Sequence, residues 1–425
     1  MTKKFNAVPG DLVEVDLGKR IYEGTLLETP SDEKEIILVK LSSGYNVGVL
    51  KKEVNEIRVI EKVSEQKEEV VIKKDSSKPN IAMVITGGTI AARLNPKKGG
   101  VDWLTDPESL FKFYPELFEK VNVLKVEVPF MKASEDMDFG DWKKVGQTVE
   151  KLLNDENIRG VIVTHGTDFL HYTSAALSFF LGKLNKPVVL TYSQRSVDRA
   201  SSDANLNLKC SALAAISDIA EVMLVGHAST NDDFCYAMRG TKVRKLHSSK
   251  RDAFKSINDK PFAKIYSDRI EPLSDYHVRN KNNVKGDFKI EEDVALVKVY
   301  PGQDPDILDY YLKKKYKGIV LEVGGLGHVP TMRSRKGWTK KLKEVIGKGL
   351  IVCAAAQTIY GRLDPLVYSN GREILKAGVI YLEDMLSETA FVKLGYVLAK
   401  TQDKEEIKKL MLTNMVGELN NRLEE

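Results

Sequence analysis

A chain of 425 residues, 42% hydrophobic and 29% charged, has ordinary globular composition and length for two or three domains at roughly 100–200 residues each. Its net charge of +5 permits a nucleic-acid partner without requiring one. The three cysteines, Cys210, Cys235 and Cys353, share no CxxC spacing, which excludes a disulfide framework or cysteine zinc site and points to a reducing cytoplasmic setting; no window reaches the ~18 apolar residues of a membrane span, and the N-terminus has no apolar targeting core.

Residues 1–62 carry short segments of period-two alternation, "DLVEVDL", "EIILVKL" and "EIRVIEKV" among them, punctuated by Pro9, Gly18, Gly24, Gly44 and Gly48. This pattern predicts a small β-barrel. Residues 63–79 are rich in Lys, Glu and Ser, bury little and read as a linker. From residue 80 the pattern becomes α/β: apolar runs such as "IAMVIT", "GVIVTHG", "PVVLTY" and "AEVMLVG" alternate with helical stretches such as "DWKKVGQTVEKLLND", which predicts a parallel sheet with helical crossovers. A first α/β unit is expected over 80–280, a polar connection over 281–292 and a second α/β unit over 293–425. The last segment, "EEIKKLMLTNMVGELNNRLEE", has helical spacing.

Ligands of open α/β sheets sit at the carboxyl ends of the strands. Two such ends are unusual here. "IAMVIT" runs into Gly87, Gly88 and Thr89, and "GVIVT" runs into His165, Gly166, Thr167 and Asp168. Paired glycines let the backbone turn tightly and approach a ligand, although they also suit a plain tight turn. Thr167 and Asp168, just before a helical stretch, suit either a site for developing negative charge or a helix cap. The glycines fit neither G-x-G-x-x-G nor G-x-x-x-x-G-K-[ST], so a dinucleotide or P-loop reading is poor. The six histidines show no metal-ligand spacing, and no metal is expected.

Together, "TGGTIA" at 86–91 and "HGTD" at 165–168 resemble the two signatures of the type I/II L-asparaginases. "KASEDMD" at 132–138 is similar to that family's segment for the α-amino and α-carboxylate groups of the substrate, and "VRKLHSSKRDAFKS" at 243–256 places Lys245 where the family has its catalytic lysine. The resemblance spans roughly residues 80–425. It implies a two-domain asparaginase-like α/β fold with a larger and a smaller sheet domain. Its implied site has Thr89 as nucleophile, Thr167, Asp168 and Lys245 as the proton-handling group, and Gly88, Ser134, Glu135 and Gly166 around the substrate. From the residues alone, Lys245 also reads as one charge in a basic surface run, and Ser134 and Glu135 as a helix start.

The added N-terminal barrel, with "RKLHSSKRDAF" and "QTIYGRLDPLVYSNGR", resembles the D subunits of archaeal glutamyl-tRNA(Gln) amidotransferases. That resemblance implies a glutaminase subunit with no cofactor of its own. Its partner, the E subunit, would use ATP and Mg and hold Glu-tRNA(Gln), and two copies of this chain would form a homodimer within a heterotetramer. The second α/β unit, with His328 and Asn370, would complete a neighbour's site, although from the residues alone His328 reads as a loop histidine satisfied by the backbone. The alternative is a free-standing L-asparaginase with an accessory barrel. One departure stands out: where asparaginases carry a lid tyrosine, "RLNPKKGGV" places Pro96. Trp103 and Tyr360 are aromatic residues that could serve instead, or the partner could complete the lid.

Overall fold

In a computed structural model the chain is described over residues 6–27, 35–42, 46–62, 75–94, 101–103, 119–196, 201–331 and 333–423. Most of the expected linker, and Pro96 with the lid segment around it, lie outside these residues.

Strands β1 (Leu12–Asp16), β2 (Ile21–Leu27), β3 (Ile36–Leu41), β4 (Asn46–Leu50) and β5 (Glu56–Glu61) pair antiparallel in the order β4-β3-β2-β1-β5. Alternation turns Val13 and Val15 of β1 and Ile37 and Val39 of β3 to one face. Val49 from one edge strand and Val59 from the other join the same apolar cluster, so the sheet curls over itself into a small open barrel.

The next unit begins with β6 (Asn80–Ile85), followed by a short antiparallel pair, β7 (Ala92–Leu94) and β8 (Val101–Trp103), and by β9 (Asn122–Glu127). Then come α1 (Phe139–Leu153), β10 (Val161–Thr164), α2 (Leu170–Leu181), β11 (Val188–Thr191), α3 (Ala204–Ile216) and β12 (Val222–His227). Strand β13 (Cys235–Arg239) precedes a separate hairpin of β14 (Val243–Lys245) and β15 (Phe254–Ser256), after which β16 (Ala263–Ile265) and β17 (Ile270–Pro272) close the unit. The sheet order is β17-β16-β13-β12-β11-β10-β6-β9. Strands β9 to β12 are parallel, whereas β13, β16 and β17 are antiparallel, so the sheet is mixed where the sequence suggested parallel runs alone.

Residues 81, 83 and 85 of β6 pack with α3, while Ala82 and Val84 face the layer containing α1 and α2. Burial on both faces is why β6, β10 and β11 read as continuous apolar runs. Helix α1 starts where Asp138 accepts from the N–H groups of Gly140 and Asp141, with Asp141 returning the bond to the Asp138 N–H, a capping box.

The second α/β unit has a parallel four-stranded sheet, β18 (Val294–Lys298), β19 (Gly318–Val323), β20 (Ile351–Ala356) and β21 (Ile380–Tyr381), in that order. Its helices are α4 (Ile307–Lys313), α5 (Thr339–Gly347), α6 (Ser369–Lys376), α7 (Ser387–Leu398) and α8 (Lys404–Leu412). The two units lock together: Lys242 Nζ lies 2.5 Å from Asp384 Oδ2 with both side chains fully buried, and Phe179 of α2 stacks on Tyr396 of α7 at 5.8 Å. Helical spacing at the C-terminus overreaches, since α8 stops at Leu412. Beyond it, Gly417 takes φ +85°, and Glu418 is drawn into a fully buried 2.6 Å pair with Lys393 of α7. A tertiary ion pair overrides local periodicity there.

Candidate active site

In the sheet order β9 lies on one side of β6 and β10 on the other, so the chain reverses direction across the sheet at β6. The loops after β6 and β10 therefore open at a topological switch point, where α/β sheets leave a crevice. Main-chain bonds stitch these loops and the segment before α1 together. Thr86 donates from its N–H (3.2 Å) and its hydroxyl (2.8 Å) to the Thr164 carbonyl, and the Lys132 N–H donates to the Thr86 carbonyl at 2.9 Å.

Glycine at 87 and 88 has a specific cause. Both residues take positive φ, +122° and +83°. A Cβ on Gly87 would lie 2.4 Å from the Lys132 carbonyl oxygen, and one on Gly88 would lie 2.4 Å from the Gly166 nitrogen. The two signature loops thus touch backbone to backbone at Gly88 and Gly166, the residues that immediately precede Thr89 and Thr167. Thr89 opens a short 3-10 turn, Thr89–Ala91, whose Ile90 and Ala91 are buried anchors. Gly88→Ala is expected to cost about 2–4 kcal/mol through left-handed strain and overpacking, read as a lowered denaturant midpoint. A midpoint unchanged from wild type would contradict this account of the contact.

Neither Thr167 nor Asp168 caps α2, whose N-cap position is taken by Phe169 with no side-chain capping bond. Both instead meet Lys245, whose Nζ lies 2.7 Å from Thr167 Oγ1 and 2.7 Å from Asp168 Oδ1. The lysine is nearly buried, at 10% side-chain exposure, whereas Asp168 keeps 59% and stays open to a ligand. Hairpin β14–β15 delivers the lysine from 77 residues away in the chain. Arg244, adjacent in sequence, pairs with Glu388 of α7 at 2.8 Å.

Ser134 and Glu135 lie in a 3-10 turn, Ser134–Asp136, and the start of α1 belongs to Asp138. Ser134 is buried, and its hydroxyl accepts from the Phe169 N–H at 3.3 Å; Glu135 is exposed, its Oε2 3.4 Å from that hydroxyl. A Cβ on Gly166 would lie 3.1 Å from Ser134 Cβ and Oγ, so this turn borders the same crevice.

Asp168 and Lys245 line a cleft of about 390 Å³ with His171, Tyr172, Arg244, His247 and Glu388. Sequence reasoning missed Glu388 and His171 and left the place of Arg244 open, because no local spacing links residues 171, 244 and 388. A larger groove of about 960 Å³ lies elsewhere, against Lys255, Asn258 and Tyr360. Tyr360, 55% exposed, lines that groove and not the cleft with Lys245; the Trp103 side chain lies outside the described residues. His328 packs its ring 5.3 Å from Tyr368, and Asn370 sits in α6. Among the described residues no group of His, Cys, Asp and Glu could hold a metal ion, and no helix is long and apolar enough to cross a membrane.

Two histidines beside these loops are buried. His165 is fully buried, with Nδ1 2.7 Å from the Gly166 carbonyl and Nε2 2.9 Å from the Thr173 hydroxyl. Burial pushes its pKa down to about 4. Burial, with Arg244 and Lys245 nearby, pushes that of His171 down to about 3. Both values lie below the ordinary 6.5, so the unfolded chain binds more protons as the pH falls below 6.5. The stability these groups supply is complete above that pH and is lost on the way down through their folded values. Each is expected to cost about 2 kcal/mol by pH 5. The check is the urea midpoint from pH 8 to 5: wild type should fall more steeply than His165→Asn, and parallel curves would contradict it.

Family models match three stretches: "GatD N-terminal domain" over residues 7–60, "Asparaginase, N-terminal" over 80–277 and "Glutaminase/Asparaginase C-terminal domain" over 293–411. The L-asparaginase of Thermococcus kodakarensis superimposes with a TM-score of 0.71 at 29% identity, covering 80% of this chain and 99% of its own. L-asparaginase I of Vibrio cholerae gives 0.68 at 27%, covering 81% and 99%. The fold from residue 80 onward is therefore that of the asparaginase-type amidohydrolases. The glutamyl-tRNA(Gln) amidotransferase D subunit of Pyrococcus furiosus is 47% identical over 96% of this chain and 93% of its own, and that of Methanobrevibacter smithii is 42% identical over 97% and 94%. The chain belongs to the family of glutamyl-tRNA(Gln) amidotransferase D subunits.

Proposed function

We propose that this chain hydrolyses glutamine through Thr89 and supplies the ammonia that converts Glu-tRNA(Gln) to Gln-tRNA(Gln). The observation that supports the mechanism is the close approach of Gly88 to Gly166, the neighbours in sequence of Thr89 and Thr167, together with the 2.7 Å contact of Lys245 Nζ with Thr167 Oγ1. Amide cleavage needs a positioned nucleophile and a proton acceptor that can return the proton. Thr89 Oγ attacks the side-chain carboxamide carbon, and its proton passes to the Thr167–Lys245 pair. The pair then delivers a proton to the leaving nitrogen as the C–N bond breaks, so ammonia departs and a glutamyl ester remains on Thr89. Water, activated by the same pair, releases glutamate and restores the threonine.

Asp168 and Glu135 take the substrate ammonium, and Ser134 takes its α-carboxylate. Charge-assisted bonds of this kind discriminate against amides that lack a free amino-acid end. The exposure of Asp168 and Glu135 supports this assignment. Ammonia passes to the E subunit of the amidotransferase, which binds ATP and Mg and holds the charged tRNA; this chain carries no cofactor and works in the cytoplasm. Two copies pair within a heterotetramer, a reading supported by a run of exposed apolar side chains in the second α/β unit, Ile359, Tyr360, Leu366, Val367 and Tyr368. Domain limits at 1–62, 80–280 and 293–425 complete the reading.

A glutamine analogue with an electrophilic diazoketone in place of its carboxamide tests the nucleophile. Peptide mass spectrometry should find the adduct on the peptide containing Thr89 and none in Thr89→Ala. An adduct on Thr167 would overturn the assignment.

A further inference from the structure

The second α/β unit bears a strongly basic face that glutamine hydrolysis does not use. Helices α4 and α5 start side by side. Lys341 Nζ of α5 lies 2.8 Å from Asp309 and 3.0 Å from Asp306 of the α4 region, and Lys336 lies 3.0 Å from Asp304. Those bonds, with Lys348 and Lys341 on Glu344 at 2.6 and 3.3 Å, occupy the four carboxylates of this face. Lys313, Lys314 and Lys315 at the end of α4, Arg335 before α5, and Lys340 and Lys343 on α5 are exposed, and among the described residues no carboxylate pairs with them. Helices α4 and α5 pack into one apolar cluster through Leu308, Leu342 and Val345 and are bridged by Lys341, so the six cations lie on and beside two neighbouring short helices of one layer. Three tyrosines lie beside them: Tyr310, 51% exposed, packs edge-on to Tyr311 at 5.3 Å, and Tyr311 to Tyr316 at 5.1 Å.

One lysine is held against its backbone preference. Lys315 takes φ +65°, the left-handed position after a helix that glycine occupies at least cost. A helix C-terminus attracts one or two cations through its dipole, and that attraction dies away within the last turn. It accounts for Lys313 or Lys314 but not for Arg335, Lys340 and Lys343. A cationic surface with neutralised acids and interleaved tyrosines matches a sugar-phosphate backbone, which is contacted by Lys and Arg without reading sequence.

We propose that this α4–α5 face contacts the phosphate backbone of the acceptor tRNA, so that the ammonia-producing chain itself holds part of the RNA. The inference rests on the tRNA-dependent reading above. Phosphate contacts release counterions, so affinity must depend steeply on salt, with a slope near one unit per contact.

The test uses the assembled enzyme of this chain and its partner, with labelled tRNA(Gln) titrated by fluorescence anisotropy between 50 and 200 mM KCl. Lys313→Gln/Lys314→Gln/Lys340→Gln/Lys343→Gln should weaken binding about tenfold at low salt and flatten the log–log salt slope by about two to four units. Glutamine hydrolysis without tRNA should be unchanged. Lys315→Gly relieves the backbone while removing a charge, and should raise the melting temperature yet flatten the slope by about one unit. Wild-type Kd and slope in the quadruple variant overturn the proposal. So does loss of the partner on sedimentation, which would make the face a protein interface. A wild-type assembly that neither binds tRNA nor transamidates would instead sink the functional reading on which the proposal stands.

Discussion

Thr89→Ala is expected to lower glutamine hydrolysis by about 10⁴–10⁶-fold, the scale seen when a hydroxyl nucleophile is deleted from a hydrolase. The loss should appear in kcat, because the groups assigned to the amino-acid end of glutamine, Asp168, Glu135 and Ser134, remain. Folding should be spared: Thr89 is only half-buried and begins a turn anchored by Ile90 and Ala91, so its removal should shift stability by less than about 1 kcal/mol. Stopped-time ammonia assays beside a urea melt separate the two effects. A variant that retains a tenth of wild-type turnover would mean that another group attacks the amide.

Lys245→Met carries the second large expectation, a drop of about 10²–10⁴-fold from loss of the proton relay. The lysine bridges Thr167 and Asp168 at 2.7 Å each, yet Asp168 is 59% exposed. Solvent can therefore hydrate the carboxylate that the lysine leaves, and a large stability penalty is not expected. That separates Lys245 from Lys242, three positions earlier, whose partner Asp384 is fully buried. Removing one partner of a pair like that destabilises by about 3–5 kcal/mol. Because Thr167 and Lys245 act together, Thr167→Ala/Lys245→Met should be scarcely slower than the worse single variant. Additive losses in steady-state kinetics would contradict a shared relay.

Much of this site was legible because its loops are constrained locally. Gly87 and Gly88 stand out in the sequence since positive φ and close backbone approach leave no room for a side chain, and the strands before Thr89 and Thr167 are apolar because both sheet faces are covered. Asparaginase-like architecture was readable from those same loops, and the amidotransferase resemblance from the barrel that precedes them. Lys245 was different. Only the family resemblance raised it above its basic neighbours, because β14 brings it to Asp168 across 77 residues. The Arg244–Glu388 contact spans two α/β units and had no sequence signal. Antiparallel strands β13, β16 and β17 are short, with no crossover helices between them to mark a period change. The C-terminal helix was read too long, since a buried Lys393–Glu418 pair counts for more than helical spacing and leaves no trace in it.

The most direct measurement is ammonia release from glutamine and from asparagine by the purified chain, first alone and then with the E subunit, ATP-Mg and Glu-tRNA(Gln), with Thr89→Ala as control. Glutamine turnover should rise sharply with the partner and charged tRNA, Gln-tRNA(Gln) should accumulate, and Thr89→Ala should abolish both. Rapid asparagine hydrolysis by the lone chain, unchanged by partner or tRNA, would contradict tRNA-dependent ammonia supply and make the chain a free-standing asparaginase.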